Sequence, residues 1–122
     1  MAKRWRPDSS AKVILGVLVY EFWSFEHEES QAKIKRRLRY YKFGPYRQEE
    51  VDVLRRFKDS LKEEIGRYNR SKYYLESHGK FAAMEDFDLP RIVSEYHAAF
   101  PAISVSDIEW FVPFAIFTYY LR

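Results

Sequence analysis

Between Tyr46 and Ser77 the apolar residues Val51, Leu54, Phe57, Leu61, Ile65 and Tyr68 recur at steps of three and four, and Leu75 follows after a gap where Lys72 takes the expected place. Such spacing lays one apolar stripe along an α-helix; a strand, whose faces alternate at every second residue, cannot use it. Asp52–Arg56 and Glu63–Arg67 are acid-first pairs one turn apart on the outer side, as a solvated helix face prefers. The segment is expected to be one long central helix, with Gly79 standing where a left-handed terminal residue is wanted. Its length would be about 45–50 Å, more than a compact chain of this size requires, and Gly66 is the place for a bend or break.

A helix striped on one side needs partners. Residues 1–7 read as a basic arm closed by Pro7, after which Asp8, Ser9 and Ser10 can cap a segment from about Ala11 to Phe25. That segment is apolar nearly all round, which fits a buried helix or a central strand. Its length, and the lack of a second β-rich run to pair with, favour helix. From Glu28 to Phe43 the apolar positions thin to Ile34, Leu38 and Tyr41, one narrow stripe ended by Gly44-Pro45. Asp88 with Pro90 opens another helix that Pro101 closes after Phe100. Ser106-Asp107-Ile108-Glu109 has the form of a capping box for a final aromatic helix, which Pro113 would kink or delay. The expectation is a single all-α domain over 1–122, a bundle of four to five helices divided into a basic arm (1–10), a basic helical part (11–80) and an acidic, aromatic part (81–122).

The last helix carries more aromatic circumference than one neighbour covers. Trp110, Phe111, Phe114, Phe117 and Tyr120 are therefore candidates for an oligomer interface, and the chain is expected to self-associate.

Charge is distributed unevenly. Net charge is +3, but residues 1–80 hold 19 basic and 12 acidic side chains while residues 81–122 hold 2 and 6. The basic excess is concentrated in KIKRRLRYYKFGPYR (33–47), which has seven cations, four aromatics and no acid. Lysines and arginines that neutralise phosphates release condensed counterions, and interleaved aromatics stack on bases or sugars, so this composition suits a polyanion. The candidate nucleic-acid-binding residues are Lys33, Lys35, Arg36, Arg37, Arg39, Tyr40, Lys42 and Arg47, with Lys3, Arg4 and Arg6 of the arm adding contacts from a second direction.

Several classes of chemistry find no support. There is no cysteine, and His27, His78 and His97 are far apart, so neither a thiolate site nor a metal site is expected. The acid pairs Glu28-Glu29, Glu49-Glu50, Glu63-Glu64 and Asp86/Asp88 lie in polar contexts that give no cause for a raised pKa. Glycine-rich phosphate loops, GxSxG and HExxH are missing. No cofactor and no small-molecule ligand are expected. No apolar run approaches the roughly 20 residues of a membrane span, and the basic start lacks a signal-type cleavage pattern, so an intracellular or virion location is expected rather than secretion. Only three amide side chains (Gln31, Gln48, Asn69) stand against 32% charged residues, the pattern of hot-environment proteins.

One short motif points elsewhere. Arg91-Ile92-Val93-Ser94-Glu95-Tyr96-His97 resembles the Arg-x5-His motif of the HEPN ribonucleases, with Ile92 where that family commonly has a polar residue. The resemblance implies a small helical domain in which Arg91 and His97 of paired subunits cleave RNA. The composition as a whole supports a different reading, a non-enzymatic structural protein of coat or packaging type that covers duplex DNA without reading its sequence. The alternative is a protein-interaction module, such as a small viral inhibitor or accessory subunit, whose basic helix docks on an acidic partner.

Overall fold

The computed structural model describes residues 6–22, 26–75 and 86–120. Among the described residues there are five helices: α1 (Ser10–Leu18), α2 (His27–Tyr41), α3 (Gln48–Gly66), α4 (Leu89–Ala99) and α5 (Val105–Tyr120). Short 3₁₀ turns follow α1 at Val19–Phe22 and α3 at Tyr68–Arg70. The fold is all-α, and among the described residues the one extended pairing is an isolated antiparallel bridge between Tyr74 and Phe87.

The segment that fitted helix or strand is helix. Ser9 caps it, its hydroxyl accepting from the Lys12 N–H at 3.1 Å, and the helix tightens into the 3₁₀ turn after Leu18. Residues 23–25, the end of the expected segment, lie outside the described residues. Ile14, Leu15 and Leu18 are wholly buried, and α1 packs against α2, α3 and α5. The shortest helix is thus the hub, in place of the long helix the periodicity suggested. Its all-round apolarity is what a helix with neighbours on three sides needs.

α3 is the longest helix but stops at Gly66, 11 residues short of the expected Ser77. The cause is local geometry that the stripe does not report. Chain direction changes through a 3₁₀ turn in which Tyr68 takes a left-handed φ of 49°. That conformation costs a non-glycine residue about 1–2 kcal/mol. Offsetting it, the Tyr68 ring meets Tyr74, Phe87 and Tyr120 at 5.2–6.1 Å between centroids, and its hydroxyl donates to Asp86 Oδ2 at 2.9 Å. Leu75 is consequently exposed and Tyr73 is buried instead. Gly79, the expected stop, lies outside the described residues.

The C-terminal pair follows the caps closely. Asp88 accepts from the Arg91 N–H, Pro90 sits in the first turn of α4, and the helix ends at Ala99. α5 starts two residues earlier than the expected capping box, because Ser104, not Ser106, accepts from the Asp107 N–H. Asp107 is thereby released to face α1, where it accepts from Ser9 Oγ at 2.7 Å and lies 3.4 Å from Lys12 Nζ. Pro113 is accommodated inside α5 without ending it.

Candidate nucleic-acid interface

The narrow stripe of α2 does what its spacing implies: Ile34 and Leu38 are buried, Tyr41 is half-buried, and Ser30 is buried one turn further back. At about 100° per residue the other positions then fall in two groups around the helix. Lys35 and Arg39 lie about 100–140° from Ile34, and Lys42 continues that edge into a groove of about 380 Å³ shared with Gly44, Pro45 and Tyr46. Arg36, Tyr40, Lys33 and Arg37 lie about 200–300° round, on the other edge. The cations therefore cover the whole outward arc of α2, not a single line.

Neutralisation decides whether such a surface is merely solvated. Among the described residues Lys35, Arg36, Arg37, Arg39 and Lys42 are exposed and have no carboxylate within ion-pair distance. Lys35 instead lies 5.1 Å from the centroid of the Tyr46 ring, a cation–π contact that leaves its charge unneutralised. Lys33 is half-buried and already engaged with a neighbour. Arg47 lies 3.9 Å from Glu50 with two-thirds of its side chain exposed, a pairing that contributes little in water.

Arg6 joins this surface from another part of the chain, its Nη2 donating to the Tyr41 carbonyl at 3.1 Å. A cation at the C-terminal end of a helix meets the negative end of the dipole. It thus brings the one described cation of the arm to the end of α2 where Arg39 and Lys42 lie. Lys3 and Arg4 fall outside the described residues.

Lys42 and Arg47 stand where stability alone would place other residues. Lys42 takes a left-handed φ of 61° at the end of α2, with its own N–H and that of Phe43 returning to the Leu38 carbonyl, a position glycine fills most cheaply. Arg47 is the N-cap of α3 and makes no side-chain capping bond, although an uncharged or acidic oxygen is preferred at that site.

The aromatic face of α5 is largely consumed within the subunit. Phe111 is wholly buried, 5.5 Å from Phe57 between ring centroids, so it faces the core rather than a second copy. Tyr120 is half-buried and donates to the Ile65 carbonyl at 2.5 Å, and its own hydroxyl pKa is pushed up to about 12, mainly by burial and then by Tyr119 and Tyr68. Trp110 and Phe114 are half-buried, 5.4 Å apart, with Trp110 approaching α1 where Gly16 has no Cβ. Phe117, 51% exposed, is the outward member of the group; Pro113 stands one turn before it, and Val105 two turns before Pro113 with the exposed Glu109 between. Val105 and Pro113 also line a groove of about 530 Å³ between α4 and α5 with Leu89, Val93 and His97.

Arg91 and His97 diverge by about 120° around α4. Arg91 is tied to Glu95 Oε2 at 2.7 Å and to the Lys72 carbonyl at 2.8 Å, while His97 faces the α4–α5 groove. Within one subunit they do not converge on a common point. Among the described residues no cluster of three or more His, Asp or Glu could hold a metal ion, and no helix is long and apolar enough to cross a membrane.

A second charged constellation escaped the sequence reading. Glu21 accepts from Arg55 Nη2 at 2.9 Å and Lys58 Nζ at 2.8 Å, and Lys58 also pairs with Asp59 at 2.5 Å; the Glu21 and Lys58 side chains are only 3% exposed. Burial pushes the Glu21 carboxyl upward, but the bonds from Arg55 and Lys58 outweigh it and bring the group down to about 2. Ser30, buried and turned toward Glu21, closes no full hydrogen bond. The available signal was Lys58 itself, which falls on the same face as the apolar stripe, four residues after Leu54 and three before Leu61.

No protein family, no curated protein and no solved structure matches this chain.

Proposed function

We propose that this protein is a non-enzymatic nucleic-acid-binding structural protein of coat or packaging type, which engages phosphates through α2 and associates with further copies through the outward part of α5. The observation that carries the reading is the set of five exposed cations, Lys35, Arg36, Arg37, Arg39 and Lys42, with no carboxylate partner among the described residues. A surface built for stability intersperses both signs; here Glu28 and Glu29 are confined to the first turn of α2 and the stretch from Lys33 to Lys42 holds a single sign. Support also comes from Lys42 and Arg47, which occupy backbone positions at some cost to stability, the kind of local conflict that marks a functional surface. A source in a hot environment belongs to the same reading, since charged residues dominate over amides.

Phosphate contact is a salt-dependent event. With the five cations of α2 engaged, or seven when Arg6 and Arg47 are counted, the log–log slope of affinity against salt would be about −4.5 to −6 on duplex DNA. Fluorescence anisotropy with a labelled oligonucleotide at several salt concentrations measures it. Replacing Arg36, Arg37 and Arg39 together by Gln should reduce the slope by about 3. Affinity that does not change with salt would remove the proposal.

A further inference from the structure

Tyr40 is the most exposed of the large apolar side chains described, at 69%, and it is placed among the cations of α2 rather than on the stripe that packs. The ring has a fixed neighbour. Tyr41, half-buried, meets it edge-on, with centroids 4.9 Å apart and planes at 89°. An edge contact constrains the orientation of an aromatic ring while occupying only part of its surface, so Tyr40 is held in place and still presents a broad face to solvent. Arg36 and Arg37 stand one turn back on the same side, four and three residues away, which places them about 4.5–6 Å along the axis from Tyr40. That is the scale of one nucleotide step along an extended strand.

From this arrangement we infer that the α2 surface is built for single-stranded nucleic acid: one unpaired base stacks on Tyr40 while Arg36 and Arg37 hold the adjoining phosphates. The inference rests on the nucleic-acid reading of α2 and sharpens it. In a duplex the base faces are already stacked on one another, so an aromatic ring on a helix surface can reach only groove edges, sugars or phosphates. A single strand offers its π-faces, each base equally, and stacking then needs no sequence. A solvated helix surface has no comparable use for this residue, since tyrosine is an ordinary helix former at best and its ring is left in water. The expectation of duplex DNA drawn from charge alone is revised accordingly.

The test compares an oligothymidylate of about 15 nucleotides with a duplex of the same length, at one salt concentration and then across a salt series, by fluorescence anisotropy with the full chain. Tyr40→Ala should weaken single-strand binding about 5- to 150-fold, leave duplex binding within about twofold, and leave the salt slope unchanged. Tyr40→Phe should retain the single-strand affinity, which separates stacking from a hydroxyl–phosphate bond. Arg36→Gln with Arg37→Gln should weaken both polymers and flatten both slopes. If Tyr40→Ala weakens both polymers equally, or neither, the single-strand inference is overturned while phosphate binding stands. If the wild-type chain binds neither polymer, the nucleic-acid reading itself falls and this inference with it. Circular dichroism of each variant checks that the fold is kept, which the exposure of Tyr40 leads one to expect.

Discussion

Glu21 is held by two cations in a place where water cannot reach any of the three ends freely. Desolvation penalises such a group, and only the bonds from Arg55 and Lys58 keep it ionised. Removing one charge from a buried pair leaves the other uncompensated, so Glu21→Gln is expected to cost about 3 kcal/mol at neutral pH, Asp59 remaining as partner for Lys58. The pH dependence has a definite sign. The carboxyl is lowered in the folded state from 4.5 to about 2, so its contribution is fully present above the unfolded value and is lost as pH falls toward 2. Urea unfolding of both proteins at a series of pH values should therefore show a gap that is constant from neutral down to about pH 4.5 and then closes. An equal gap at the acid end and at neutrality would refute the assignment. Nothing local in the sequence announces this cluster, since Glu21 and Lys58 are 37 residues apart and meet only because α1 and α3 pack together. Lys58 on the face of an apolar stripe was the one visible trace.

At the level of elements, what could be read from sequence was what neighbouring residues determine between themselves. Ser9 and Asp88 cap the helices they were expected to cap, and the stripe of Ile34, Leu38 and Tyr41 turns inward as spaced. α3 was overextended because Tyr68 and Leu75 preserve the three-and-four rhythm after the chain has turned. The turn depends on a left-handed Tyr68 whose cost is met by rings from distant segments, and no local pattern encodes that. The outward cations of α2 were legible for the opposite reason, because exposure asks for no partner. The end of α2 offers a way to separate stability from binding. Lys42 has a left-handed backbone without the benefit of being glycine, so Lys42→Gly should stabilise the fold by about 1 kcal/mol while removing one phosphate contact. Denaturant midpoint should rise, and the salt slope should fall by nearly one. A midpoint that drops would show that the lysine side chain, and not the backbone, sets the balance there.

Taken as a whole molecule, the chain places its exposed cations, with Tyr40 among them, on α2 and the exposed ring of Phe117 on α5. α2 packs on α1, α4 packs on α5, and the contact of α1 with α5 joins the two pairs. Phosphate binding at α2 and contact between copies at α5 could then proceed without competing for the same surface. Most of the aromatic side chains expected at a subunit interface are spent inside the subunit, which leaves Phe117 as the outward ring, with Pro113 one turn before it. A single exposed ring of this kind contributes roughly 1.5–3 kcal/mol when buried, too little to hold a dimer of free subunits against the cost of association. Copies already aligned along a nucleic-acid strand have paid most of that cost by being confined, so contact should appear only once the polymer is present. Light scattering is expected to find a monomer at micromolar concentration without nucleic acid, and clustered, cooperative occupancy when a long single strand is added. Phe117→Glu should abolish the cooperativity and leave the affinity of an isolated copy for a short oligonucleotide unchanged, because α2 is untouched. Cooperative filling that survives the substitution would place the contact between copies elsewhere on the molecule.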